Sequence, residues 1–215
     1  MVRAALFDFD GVIVRSEPLH KKTFLELLSP YGVEVSDGRW YKEFAGTGSR
    51  RIFKALAREH GISPDIDELV SRRRALFVEH ARRGELEVMP GLMGLLDALK
   101  GRGIRMAIVS GGHRDYIEVL LDMLGIRGYF GAVISAEDLE ERKPDPGPFL
   151  MGAERLGISP EECLVIEDSF SGCAAARAGG MKLIWVRPDA SLQAPDCDLE
   201  VEDLQDGRIL SLLSQ

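Results

Sequence analysis

Apolar residues fall into two patterns along this chain. At the start, Ala4, Ala5, Leu6 and Phe7 form a near-continuous apolar run within Arg3–Phe9. Four later segments are built the same way, namely Arg105–Ser110 (RMAIVS), Ala132–Ser135, Cys163–Glu167 (CLVIE) and Lys182–Val186 (KLIWV). Runs without polar alternation predict strands buried on both faces, as in a parallel sheet. Between them the spacing turns helical. Residues 113–124 set Tyr116, Leu120, Met123 and Leu124 on one face before Gly125 stops the helix. Residues 159–162 read Ser-Pro-Glu-Glu, the pattern of a capping box with proline at the first helical position. Strands alternating with helices predict an α/β core with a parallel sheet and right-handed crossovers.

One stretch departs from that rhythm. From about Ser16 to Val88 the pattern is helical throughout, with no convincing strand, and one helix is expected to start at Ser63-Pro64 and run to Gly84. A Met-Pro-Gly punctuation at 89–91 then returns the chain to the α/β pattern. The stretch is far longer than a crossover needs, which predicts a helical cap domain over 16–88 inserted into a core made of 1–15 and 89–215. Charge supports the division. Residues 16–88 carry 13 basic and 12 acidic side chains, whereas the chain as a whole has a net charge of -8.

Composition narrows the class. The chain has 215 residues, 45% hydrophobic and 29% charged, which is ordinary for a globular protein and excludes wholesale disorder and fibrous architectures. Its 35 acidic against 27 basic residues argue against nonspecific binding to nucleic acid or to an anionic membrane. No apolar run approaches the roughly 18 residues needed to cross a bilayer, and Asp8 and Asp10 interrupt the first apolar stretch, so no signal peptide is expected. Cys163, Cys173 and Cys197 are an odd number without close pairing. They read as small core residues in a reducing compartment. A soluble, cytoplasmic protein is the expectation, with a monomer as the default.

In open parallel sheets, sites form outside the carboxyl ends of the strands. Those ends here carry Asp8-Phe9-Asp10-Gly11, Ser110-Gly111-Gly112, the later segment Lys143-Pro144-Asp145-Pro146, and Glu167-Asp168-Ser169. Asp8 and Asp10 would point to opposite faces of a regular strand; if the strand unravels at Phe9, as Gly11 permits, both can face one site. Clustered carboxylates repel and demand a hard cation such as magnesium. Lys143 offers a point charge for phosphate oxygens or for an aspartate, and Ser110 with the amides of 111 and 112 offers an anion-binding corner. Each residue alone has a plainer reading. A single aspartate at a strand end is ordinarily a helix cap or a turn residue, Ser110 could be an N-cap, and Lys143 could lie on the surface. The coincidence of all these groups on one sheet edge is what favours a site.

The ordered set DFDGV (8–12), SGG (110–112), KPDP (143–146) and EDS (167–169), around a helical insertion, resembles the haloacid dehalogenase superfamily. The resemblance runs from Val2 to about Pro188 and is to the small-cap subgroup that contains β-phosphoglucomutase and many sugar-phosphate phosphatases. It implies a Rossmann-like core with strand order 3-2-1-4-5, counted over the five strands above. It further implies that Asp8 is a nucleophile forming an aspartyl-phosphate and that Asp10 is a general acid and then base. Ser110, the Gly111 amide and Lys143 would hold phosphoryl oxygens. Mg2+ would be held by Asp8, the Asp10 backbone carbonyl and Asp168, with Glu167 beside them.

In the cap the resemblance is thinner. His20, in SEPLH, takes the place of a hinge histidine. The loop 45–50 with Thr47 and Arg50 resembles a substrate-contacting loop, yet it is one residue longer than in mutases and lacks their acidic residue after the arginine. Arg72, Arg73 and Arg74 form either a solvated face or a reach towards the cleft, and His113 either lines the substrate pocket or merely starts a helix. The expected function is a magnesium-dependent phosphatase acting on a small phosphorylated metabolite such as a sugar phosphate. Alternatives are a hexose phosphate mutase and a noncatalytic sensor of phosphorylated metabolites. A dehalogenase would need neither metal nor the acid at position 10.

Overall fold

The computed structural model describes residues 1–188 and 192–213. The chain runs β1 (Ala4–Phe7), β2 (Val14–Arg15), α1 (Glu17–Leu28), α2 (Asp37–Glu43), α3 (Ser49–Glu59), α4 (Ile66–Arg82), β3 (Glu87–Val88) and α5 (Leu92–Gly101). It continues β4 (Arg105–Val109), α6 (Arg114–Met123), β5 (Ala132–Ile134), α7 (Gly147–Leu156), β6 (Cys163–Glu167), α8 (Phe170–Ala178), β7 (Lys182–Val186), β8 (Leu199–Val201) and α9 (Arg208–Leu212). It divides into two compact units, Met1–Arg15 with Val88–Gln215 and Ser16–Glu87.

The larger unit is built on a six-stranded sheet of order β5-β4-β1-β6-β7-β8. Every neighbouring pair is parallel, with Phe7 of β1 opposite Ile108 of β4 on one side and Ile166 of β6 on the other. The continuous apolar runs follow from this, because helices cover both faces of a wound sheet and leave no wet side. On one face Ala4, Leu6, Val109 and Val165 pack with Phe149 and Ala153 of α7 and with Cys173, Ala175 and Ala176 of α8. On the alternate positions Phe7 meets Phe130 edge-on at 5.8 Å. Five strands take the order expected, and β8 adds a sixth at the edge. Its sequence, LEV, is too short and too polar to stand out.

The smaller unit is helical. Phe24 of α1, Trp40 of α2, Phe53 and Leu56 of α3 and Leu69 of α4 share one core, in which the Phe24 ring lies 5.4 Å from Trp40 and 4.6 Å from Phe53. Burying the indole leaves its N–H in need of a partner, and Glu17 accepts it at 2.7 Å.

The structure departs from local expectation in four places. Helix α4 starts at Ile66 because Asp65, not Ser63, caps it, accepting from the amides of Asp67 and Glu68. The Ser159–Glu162 pattern yields a single tight turn with no side-chain cap from Ser159. The Glu162 carbonyl is taken by the Arg3 amide at 2.8 Å, and the chain enters β6 at once. In α6 the buried face is Tyr116, Ile117, Leu120 and Leu121, and Met123 is exposed. Residues 87–88 form a short strand where none was expected; the Met89 amide beside it donates to the Ile13 carbonyl at 3.0 Å, a pairing that holds the backbone extended.

Candidate active site

β1 ends at Phe7, and Asp8 extends its ladder by one bond, donating its amide to Ile166 at 3.0 Å. The backbone then turns. The Phe9 carbonyl accepts from Ile13 at 2.8 Å and the Gly11 amide donates to Val14 at 2.8 Å. Gly11 sits at φ 81°, and a Cβ there would lie 2.0 Å from Asp168 Oδ2, so both the turn and the close approach require glycine. Phe9 is buried with its ring edge-on to Tyr116 at 5.8 Å, and the Tyr116 hydroxyl donates to Asp10 Oδ1 at 3.0 Å.

Lys143 reaches the same strand ends from the loop before α7. Its ammonium donates to Asp8 Oδ1 at 2.6 Å, to Glu167 Oε1 at 2.7 Å and to the Val109 carbonyl at 3.0 Å, and it lies 4.6 Å from the centre of the Phe149 ring. The other oxygen of Glu167 accepts from the Ser169 amide at 2.6 Å and hydroxyl at 2.9 Å, and Ser169 in turn caps α8 through the Gly172 amide. A Cβ at Gly172 would lie 1.8 Å from Glu167 Oε1. The Asp168 carbonyl is held by the Trp185 indole at 2.9 Å.

Asp8, Glu167 and Asp168 bring carboxylate oxygens within 4.8 Å of one another. Burial is the largest influence on Asp8. It outweighs the opposing Lys143 charge and, with help from Glu167 and Asp10, lifts the carboxyl to about 7. Burial, then Glu167 and Asp8, also raise Asp168 well above the usual carboxylate range. Burial disfavours the Lys143 ammonium, yet Asp8 and Glu167 overcome it and hold the lysine charged. Three carboxylates facing one ammonium is an arrangement short of positive charge. A hard cation with oxygen ligands fits that deficit, with Asp8, Glu167 and Asp168 as candidate donors; Glu167 is the most engaged of the three, since both its oxygens accept from protein groups.

Ser110 follows β4, buried, with its amide on Ile134 at 3.0 Å and its hydroxyl accepting from Gly112 at 3.0 Å. Gly111 is exposed with open space around it. The structure thus gathers Asp8, Asp10, Ser110, Lys143, Glu167 and Asp168 at one sheet edge. His113 is the N-cap of α6 and half exposed; its Nδ1 lies 2.7 Å from Glu137 Oε1, while Glu137 Oε2 accepts the Arg114 amide at 3.0 Å.

His20, Thr47 and Arg50 lie on the Ser16–Glu87 unit. The His20 ring stacks on Phe77 at 4.5 Å with Nδ1 2.8 Å from an Arg73 nitrogen; the Thr47 hydroxyl donates to the Phe44 carbonyl at 2.7 Å; Arg50 pairs with Asp67. Of the three arginines, Arg73 lies over the Phe24 and Phe77 rings, and Arg72 pairs loosely with Glu68 at 3.6 Å.

Sequence reasoning misses the role of Tyr116, which reads only as part of an apolar helix face, and the bracing by Ser169 and Trp185. The available signal for Tyr116 is its place six residues after Ser110, on the helix that rises from the anion-binding corner.

Known proteins point the same way. Fructose-1-phosphate phosphatase YqaB of Escherichia coli is 35% identical over 185 residues, covering 85% of this chain and 95% of that protein. Hexitol phosphatase B of Escherichia coli is 32% identical over 192 residues, covering 86% and 83%. The crystal structure of CbbY from Rhodobacter sphaeroides in complex with phosphate superposes with a TM-score of 0.83 over 95% of each chain at 24% identity, a likeness of fold. The family model of haloacid dehalogenase-like hydrolases matches residues 2–180, and the chain belongs to that family of enzymes.

Proposed function

We propose that this hydrolase is a magnesium-dependent phosphatase of small phosphate monoesters, sugar phosphates among them, working through an aspartyl-phosphate on Asp8. The observation that carries the reading is the Asp8 carboxylate, buried and held by Lys143 at 2.6 Å beside two further carboxylates. A carboxylate so fixed is oriented for attack, and an anionic nucleophile can meet an anionic phosphoryl group only where positive charge offsets the repulsion. Mg2+ held by Asp8, Asp168 and the Asp10 backbone would supply most of that charge and polarise the phosphoryl oxygens.

The chain's own groups do the rest. Asp8 attacks phosphorus as the bond to the leaving oxygen breaks, and Asp10 passes its proton to that oxygen. Water then attacks the aspartyl-phosphate, giving its proton to Asp10 and releasing phosphate from Asp8. Lys143 and Ser110 hold the equatorial oxygens through the transfer, so that catalysis is mainly positioning and electrostatics. The similarity to two sugar-type phosphatases supports the substrate class. A mutase would need a clamp for a second phosphate, and the pairing of Arg50 with Asp67 gives that reading less support.

The test is phosphate release from a panel of sugar phosphates and small phosphorylated acids, with Mg2+ and then with EDTA. Metal-dependent release that disappears in Asp8→Asn is the expected result. Turnover that persists in EDTA, or in Asp8→Asn, would overturn the mechanism. Silence across the panel, with isomerised product from a hexose 1-phosphate primed by a bisphosphate, would replace it with the mutase.

A further inference from the structure

We infer that Tyr116 is a positioning residue for the proton-transferring carboxylate of Asp10, an inference that rests on the phosphatase reading above. The phenol is buried on the first turn of α6, its ring locked edge-on against Phe9, the residue between the two aspartates. Both rotations of the side chain are therefore set by packing, and the hydroxyl arrives at Asp10 Oδ1 at 3.0 Å as a directed donor. The carboxylate sits past the end of β1, on the turn closed by the bond from the Gly11 amide to the Val14 carbonyl.

The consequence for the reaction is geometric. A carboxyl group has two oxygens, and the acid step needs one of them aimed at the leaving oxygen. With Oδ1 accepting from Tyr116, the plane of the carboxyl group is constrained, and so is the direction in which its proton passes to the leaving group and is later regained from water. The hydrogen bond also grows stronger as Asp10 becomes anionic, since a donor to a charged acceptor binds more tightly than to a neutral one. That gain is realised as the proton leaves, which is the condition for an interaction to raise the rate rather than only to bind substrate. Tyr116 itself exchanges no proton.

An effect of this kind scales with how much the leaving group needs protonation. A nitrophenolate departs without help, whereas the alkoxide of a sugar does not. The experiment measures kcat/KM for 4-nitrophenyl phosphate and for the best alkyl phosphate in four proteins: wild type, Tyr116→Phe, Asp10→Asn and the double variant. Tyr116→Phe keeps the ring and removes the hydroxyl. Its alkyl-to-aryl ratio should fall roughly 10-fold or more, and in the Asp10→Asn background the same substitution should change that ratio by less than about 2-fold, because coupled residues are not additive. The ratio is taken within one preparation, so partial misfolding of a variant cancels. An equal loss on both substrates, or additive effects in the double variant, would overturn the inference while leaving the phosphatase reading intact. No turnover of either substrate by the wild type would overturn both.

Discussion

Lys143 and Asp8 meet at 2.6 Å with only 12% of either side chain exposed, and the same ammonium reaches Glu167 at 2.7 Å. Breaking a buried pair leaves an uncompensated charge, at about 3–5 kcal/mol, and here it strands two carboxylates. Lys143→Met is therefore expected to lower the melting temperature of the metal-free protein and to reduce kcat about 100-fold or more. Lys143→Arg should not rescue it, because a planar guanidinium cannot replace a point charge among three acceptors. Thermal melting and steady-state kinetics on the same samples check this. Near-normal kcat in Lys143→Met would remove Lys143 from the mechanism.

The elements that carry this site were legible because each core strand is an unbroken apolar run ending in a polar residue, as AALF does at Asp8 and CLVI at Glu167. The strand order put those ends on one edge. Tyr116 was not legible as a partner of Asp10, since its hydroxyl reaches the carboxylate only through the rotation of α6 relative to the turn at Gly11. The Ser159–Glu162 motif misled for a related reason: a local capping pattern lost to the non-local bond between Arg3 and Glu162. In the helical unit, His20 and Arg50 carried a resemblance, yet their contacts are with Phe77 and Arg73 and with Asp67, partners that no spacing pattern names.

Gly11 and Gly172 are expected to be intolerant of even one methyl. Their added Cβ atoms would fall 2.0 Å from Asp168 Oδ2 and 1.8 Å from Glu167 Oε1, so a carboxylate must move in either case. Gly11→Ala also forces alanine to φ 81°. Both variants should weaken Mg2+ binding, measured by calorimetry, and lower activity at least 10-fold, since small misplacements at a reacting centre are costly. Gly94→Ala is the contrast. That site on α5 is exposed and has open space, and the change should stabilise by up to about 1 kcal/mol. Unaltered Mg2+ affinity in Gly11→Ala would show that Asp168 is not a ligand.

Stability should fall with rising pH in the metal-free protein. Asp8 is lifted from 3.8 to about 7, so between those values the folded state holds a proton that the unfolded chain has lost. Stability from that proton is present below the lower value and declines as pH rises through the upper one. Asp168, raised by burial and by Glu167, acts in the same direction. So does His80, whose pKa is raised chiefly by its bond to Glu85 and whose stabilising charge is lost as pH rises. The depressed acids, among them Glu85 and Glu137 at about 2, matter only below their unfolded range. Melting in EDTA should thus be higher at pH 5 than at pH 7.5, and Asp8→Asn should reduce the difference by raising the value at pH 7.5. Mg2+ at 100 times its dissociation constant should restore about 2.7 kcal/mol at pH 7.5. A wild-type slope preserved in Asp8→Asn would assign the pH dependence elsewhere.

Arg50 separates the two sugar-phosphate activities. It forms an exposed pair with Asp67 across α3 and α4, and this contact lowers the Asp67 pKa through its hydrogen bond. Exposed pairs of long side chains contribute little to stability, so Arg50→Ala should melt with the wild type. For a phosphatase of monophosphates the substitution should leave kcat/KM within about 2-fold, because one phosphoryl group needs one set of oxygen donors and those lie on the strand ends. In a mutase the intermediate is a bisphosphate, and losing an arginine that binds its second phosphate would raise KM for the bisphosphate primer by about 10-fold or more. Measuring monophosphate hydrolysis and bisphosphate-primed isomerisation in the same variant gives opposite signatures. Unchanged hydrolysis with no primed isomerisation is the outcome the geometry predicts, and a selective loss of primed isomerisation would make Arg50 the second phosphate clamp.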